Sequence, residues 1–146
     1  MSQSKYAKNL GENFGLKSTS PLRTPMSPNV KLTVNLLDKS VDFSLYRSMI
    51  SSLLYLTTSR PDISYSVGMC AKYQANSKES HMIALKRIIK YVKAIANFGV
   101  WYSKDTNDVV VRYFDADWDG NADDRKSTPG SCFYVGNNLV FWMSKK

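Results

Sequence analysis

Cysteine is scarce in this chain: Cys70 and Cys132 are the only two among 146 residues. Neither has a neighbour at metal-ligand spacing, which removes the usual zinc-binding modules from consideration. Both sit in apolar settings ("VGMCAKY", "GSCFYVG") and read as reduced core thiols of an intracellular protein. Histidine is scarcer still. His81, the single one, stands one residue before the apolar stripe of its helix, with no partner base or ligand in local reach. It is expected at the surface or at the core boundary. Long apolar runs are missing too. No stretch approaches the ~18 residues of a membrane-spanning helix, and the N-terminal "MSQSKYAKNLGENFGLK" lacks the apolar centre of a signal peptide. These absences predict an unsecreted protein of the cytoplasm or nucleus, with no membrane partner.

Acid is short in most of the chain. Residues 1–104 hold 5 Asp+Glu against 15 Lys+Arg, whereas residues 105–146 hold 7 against 5. A basic body joined to an acidic segment suits a polyanion-facing surface beside a cation-binding or catalytic site. What the chain does have is apolar content, 43% hydrophobic and 12% aromatic, enough to bury a core. The length fits one ordinary domain or two halves of larger ones.

The helical period dominates the first part. Tyr6, Leu10 and Phe14 predict a short helix from Ser4 that closes near Gly15. "STSPLRTPMSPN", residues 18–29, holds three prolines among Ser and Thr and reads as loop or extended linker, part of a linker-like stretch over 18–41. Leu45, Met49, Leu53 and Leu56 share one face of a helix over 42–58, which Asp42 or Ser44 can cap. Pro61 restarts the chain in a further helix to about Ala75. Asn76 and Glu79 predict a capping box for the clearest helix. Its stripe is Met82, Leu85, Ile88, Ile89, Val92 and Ile95, with Lys86, Arg87, Lys90 and Lys93 mainly on the opposite side.

After Gly99 the period falls to two. "GVWYSK", "DVVVRYF", "SCFYVG" and "NLVFWM" are strand-like runs, and Val135-Gly136-Asn137-Asn138-Leu139 marks a hairpin. Helices followed by an antiparallel β-meander predict an α+β fold, with two partial domains meeting near residue 104.

Among the strands stands "DADWDG". Asp115, Asp117, Asp119 and Gly120 match the start of a calcium loop, but the twelfth position is Lys126 where a bidentate Glu is needed. The flanking "VVVRYF" is also a strand by pattern, so a helix–loop–helix calcium site is excluded. A strand ending in Asp115 suits the first carboxylate of a divalent-metal nuclease. One carboxylate is not a site, however, and local spacing favours a solvated acidic turn. Tyr102, Tyr113, Trp118 and Trp142 offer rings that stack bases or, more simply, fill a sheet face.

The strings "YRSMISSLLYL", "SRPDI", "KRIIKYVK" and "DADWDGNADDRKSTPG" closely resemble the Pol polyprotein of copia-type LTR retrotransposons, and the resemblance runs along essentially the whole chain. It implies a thumb- and connection-like helical region of a reverse transcriptase over 1–104, and the incomplete start of an RNase H-like domain over 105–146. Asp115 then matches the first metal-binding aspartate, with Asp117 and Asp119 as turn residues. The polymerase aspartates would lie upstream of Met1, and the remaining RNase H carboxylates beyond Lys146. The expectation is therefore a truncated fragment without catalytic activity and without a cofactor of its own, Mg²⁺ being implied only for the intact parent domain. Departures from the family pattern stand at Phe114, Asp119, Pro129, Ser131 and Phe141. Lys86, Arg87, Lys90 and Lys93, with Lys72, Lys78 and Lys104 nearby, are the expected contacts to an RNA–DNA hybrid or other nucleic acid, made without sequence preference. The chain also resembles plant and oomycete fragments labelled as secreted RxLR-type effectors that suppress host cell death, which implies a protein partner in a host cell instead.

Overall fold

The computed structural model describes residues 3–16, 20, 22–27, 32–33, 37–97, 100–117 and 128–144. Four helices precede three strands: α1 (Ser4–Asn13), α2 (Phe43–Thr57), α3 (Pro61–Ala71), α4 (Glu79–Ala94), β1 (Val110–Asp117), β2 (Thr128–Val135) and β3 (Asn138–Ser144). The strands form one antiparallel sheet in the order β1-β2-β3. The α+β class and the meander agree with the sequence.

Each helix end has a local cause. Gly15 adopts φ 72° after α1, and the Leu16 N–H returns to the Gly11 carbonyl at 2.7 Å, closing the last turn in the left-handed geometry that glycine permits. Asp42 caps α2 by accepting from the N–H groups of Ser44 and Leu45. Pro61 opens α3 at its first turn, where a missing N–H costs nothing. That helix ends at Ala71, about a turn short of expectation, and 72–75 continue as turns.

The core lies among the helices. Tyr46, Met49, Ile50, Leu53 and Leu56 of α2 meet Ile63, Val67 and Cys70 of α3 and Leu85, Ile88, Ile89 and Val92 of α4. Tyr46 is wholly enclosed and donates its hydroxyl proton to the Cys70 carbonyl at 2.7 Å, so its polar end is satisfied inside the core. Burial, followed by the neighbouring Cys70 and Tyr73, drives the Tyr46 phenol well above its ordinary value.

Two expectations fail at the start of α4. Its N-cap is Lys78, and the reciprocal partner is His81, whose Nδ1 accepts from the Lys78 N–H at 3.1 Å; Asn76 and Glu79 do not form the box. His81 is also not a surface residue. It is fully buried, its Nε2 lies 2.9 Å from the Thr33 carbonyl, and its ring stacks on Tyr73. With Nδ1 accepting and a carbonyl facing Nε2, the network assigns the neutral tautomer protonated on Nε2.

The "GVWYSK" run is not a strand among its described residues, 100–104; Trp101 is 85% exposed, and regular pairing starts only at Val110. The β2–β3 hairpin is as expected, turning at Gly136 with φ 56°. A bulge between Phe133 and Tyr134 leaves Val140 out of the Cα pairing. The sheet meets the helical body through β3, which packs against α3, and the Trp142 indole N–H donates to the Thr57 carbonyl at the end of α2 (2.8 Å). A hollow of about 280 Å³ lined by Thr57, Thr58, Ser64, Val140, Phe141 and Trp142 marks that seam.

Candidate nucleic-acid interface

The basic face predicted on α4 is real in part. The helix buries His81, Met82, Leu85, Ile88, Ile89 and Val92, which turns the intervening positions outward. Lys86 is exposed and Lys90 half-exposed, and among the described residues neither has a hydrogen-bond or ion-pair partner. Arg87 and Lys93 are engaged. Arg87 grips Thr24 with two nitrogens, Nε to the carbonyl at 3.3 Å and Nη2 to Oγ1 at 2.8 Å. The Lys93 ammonium donates to the Leu16 carbonyl at 3.3 Å, and its stem lies against Gly11 of α1.

The N-terminal segment therefore crosses the basic side of α4. Leu10 and Ala7 of α1 are buried in the common core, which anchors that crossing. The stretch read as linker is likewise tied to the body where it is described. Leu32 is 4% exposed, and its carbonyl accepts from the Tyr73 hydroxyl at 2.6 Å.

The other basic residues divide. Lys104 is exposed and Lys72 half-exposed. Lys78, expected beside the basic face, is instead 9% exposed, with its ammonium donating to Ser40 Oγ at 3.1 Å. It belongs to the structure of the α4 N-terminus.

Asp115 lies in β1, opposite Gly130 in the β1–β2 register, and the strand runs on through Asp117 opposite Thr128. Asp117 is thus a strand residue and not the turn residue expected. Asp119, Asp123, Asp124 and Trp118 lie outside the described residues, as do the side chains of Asp115 and Asp117. Among the described residues no three His, Cys, Asp or Glu side chains gather as they would around a metal ion.

Neighbouring strands place Arg112 beside a cluster of rings. Its guanidinium lies 3.6 Å from the Phe114 ring centre and 4.8 Å from that of Phe133, and Phe133 meets Phe141 edge to face. On the other face Tyr113 and Tyr134 meet edge to face, beside a hollow of about 450 Å³ that Val111, Cys132, Gly136 and Asn137 also line. Tyr102 and Tyr113 are 51% and 58% exposed, so these two rings do not fill a core. Trp142 does join the body, through Thr57.

One cluster was not foreseen. Arg60, only 6% exposed, pairs through two nitrogens with Asp62 (2.7 and 2.9 Å), while the Tyr91 hydroxyl donates to the same carboxylate at 2.9 Å. A further nitrogen of Arg60 reaches the Ile95 carbonyl (3.4 Å), placing its charge at the C-terminal end of α4. Burial pushes the Asp62 carboxyl up, but the Arg60 hydrogen bonds and charge, with Tyr91, outweigh it and hold the group below its ordinary range. Burial and the hydrogen bond to Asp62 raise the Tyr91 phenol. "SRPDI" carries this lock, and the signal was an Arg and an Asp two residues apart around a helix-opening proline.

Similarity to known proteins extends over the entire chain. It is 37% identical over all 146 residues to the retrovirus-related Pol polyprotein from transposon RE1 of Arabidopsis thaliana, of which it spans 10%. The chain belongs to the copia-type retrotransposon Pol family. It is also 34% identical over 146 residues to an uncharacterized mitochondrial protein of Arabidopsis thaliana, covering 60% of that protein. A 102-residue match at 32% identity takes in 69% of this chain and 72% of a secreted RxLR effector protein of Plasmopara viticola. No protein-family model and no solved structure matches it. Among the described residues, no helix is long and apolar enough to cross a membrane.

Proposed function

We propose that this Pol segment is a nucleic-acid-facing piece of a reverse transcriptase–RNase H polyprotein, with α1–α4 as its thumb- and connection-like body. Strands β1–β3 are the opening hairpins of an RNase H-like domain, and Asp115 is the first carboxylate of its metal site. Mg²⁺ would be held there by Asp115 only together with carboxylates from other elements, since phosphoryl chemistry of this kind needs several around its ions. Catalysis is therefore assigned to the assembled domain and not to this segment alone. What the segment itself contributes is a duplex contact, in which Lys86 and Lys90 meet backbone phosphates without reading sequence.

The observation that carries this proposal is the division of α4, with its apolar stripe buried and Lys86 and Lys90 turned outward without partners among the described residues. Similarity to a Pol polyprotein along the entire chain supports the choice of ligand. Titrating binding to an RNA–DNA hybrid against salt tests it. Affinity should fall as salt rises, and Lys86→Gln with Lys90→Gln should reduce the slope of log affinity against log salt by about 2. A slope unchanged by the double substitution would remove α4 from the interface.

The match to the secreted RxLR effector protein favours a second role, a contact with a host-cell protein. Expression in plant cells challenged with a cell-death elicitor tests it, and unabated death with abundant protein would dismiss it.

A further inference from the structure

Residues 18–29 contain three Ser/Thr-Pro pairs, Ser20-Pro21, Thr24-Pro25 and Ser27-Pro28. Of these three hydroxyls, only that of Thr24 touches a cation among the described residues. Thr24 is exposed, yet its Oγ1 already accepts from Arg87 Nη2 at 2.8 Å while its carbonyl accepts from Arg87 Nε at 3.3 Å. Lys90 stands one turn further along the same helix, at the i+3 position.

That arrangement is a half-built phosphate site: an accessible hydroxyl, a guanidinium already aimed at it, and a second cation within a turn. Phosphorylation adds about −1.5 to −2 charges and three strong acceptors. Guanidinium binds phosphate through two parallel bonds between opposite charges, whereas the Thr24 hydroxyl that Arg87 meets now is a neutral acceptor.

We propose that Thr24 is a phosphorylation site and that Arg87 is the residue that holds the phosphate, clamping the segment around Thr24 across α4. The donor is ATP and the catalyst a Ser/Thr kinase that accepts a following proline. Thr24 Oγ1 forms a bond to the γ-phosphorus, the bond from that phosphorus to the β-phosphate bridge oxygen breaks, ADP leaves, and the hydroxyl proton passes to the kinase base. The clamp strengthens a contact that is already present, so it needs no rearrangement of α4. Its consequence for nucleic acid rests on the function proposed above: a phosphate beside Arg87 and Lys90 sets negative charge on the face meant for a duplex, and duplex affinity falls.

The experiment treats the full chain with ATP and a proline-directed Ser/Thr kinase, maps phosphate by mass spectrometry, and follows amide exchange over residues 22–27. Phosphate on Thr24 is expected, with exchange there about tenfold slower than in the unmodified chain. In the phosphorylated Arg87→Gln chain that slowing should vanish, and in phosphorylated Lys86→Gln it should persist. Arg87 is partly exposed, so its substitution leaves the core intact. Phosphate confined to Ser20 or Ser27, or slowing that survives Arg87→Gln, would overturn the assignment. Hybrid binding is measured on the same samples. If neither form binds the hybrid, the nucleic-acid function fails while the clamp stands on the exchange data; slowed exchange with unaltered hybrid binding overturns only the coupling.

Discussion

The rings of Tyr73 and His81 stack with their centres 4.0 Å apart and their planes 22° from parallel. Their polar ends reach consecutive carbonyls of one strand of chain, the Tyr73 hydroxyl donating to Leu32 and His81 Nε2 to Thr33. The pair joins a segment distant in sequence to the first turn of α4, where His81 Nδ1 also accepts the Lys78 N–H.

Replacing His81 by Leu keeps most of the volume and removes both polar functions. It leaves the Lys78 N–H and the Thr33 carbonyl without partners, at a cost of about 1–3 kcal/mol for a buried orphan. The expected outcome of urea unfolding is a lower midpoint with an unchanged slope. A midpoint within error of the parent would show that apolar packing holds the segment without either the hydrogen bonds or the ring stack.

Asp62 gives the stability a defined pH dependence. Its carboxyl is held below the ordinary range in the folded chain, so its contribution is present above the unfolded value near 3.9 and is lost as pH falls through the folded value. Asp62→Asn should cost about 1–2 kcal/mol at neutral pH, because Arg60 stays buried without its counter-charge while Asp62 itself is one-third open to solvent. The gap in melting temperature between the two proteins should narrow steadily under acid.

Trp142→Phe tests the seam between sheet and helices. The substitution keeps an aromatic ring and deletes the N–H that reaches Thr57, worth about 1 kcal/mol. Amide exchange should quicken in β1, β2 and β3 and stay unaltered in α2 and α4. Equal acceleration in both halves would mean that they unfold as one unit.

The two thiols should separate in reactivity. Burial pushes the Cys70 thiol up to about 12, and the hydrogen bond with Tyr46 offsets this only in part. Cys132 is partly exposed beside the Tyr113–Tyr134 hollow. A disulfide reagent at pH 8 should modify one thiol in the native chain and two after denaturation. Fast modification of both in the native state would contradict the packing around Cys70.

Much of this architecture is legible locally. Asp42 capping α2, Pro61 opening α3, Gly15 closing α1 and Gly136 turning the hairpin all follow from residues that favour one backbone geometry. The start of α4 is different. Lys78 bridges Ser40, the Glu79 N–H reaches the Lys39 carbonyl, and the Val41 N–H reaches Ser77. That long-range pairing sets the helix start, and no window around Asn76 contains it. The burial of His81 is hidden from local sequence for the same reason, since its partner Thr33 is 48 positions away. "GVWYSK" has strand composition, but backbone groups there find a side chain instead: the Ser103 N–H and carbonyl both pair with the Asn138 amide. At the candidate interface the sequence showed which α4 residues are basic. It could not show that Arg87 and Lys93 are taken by Thr24 and Leu16, 63 and 77 positions earlier.

Those separations bear on the order of folding. Contacts within α4, and between α2 and α3, close short loops and need little chain entropy, whereas each contact of the N-terminal segment with α4 waits on a loop of more than sixty residues. The long helix can therefore form with its cationic side still bare, and the cover arrives afterwards. During synthesis or after transient opening, α4 passes through an interval in which all four of its basic residues face water.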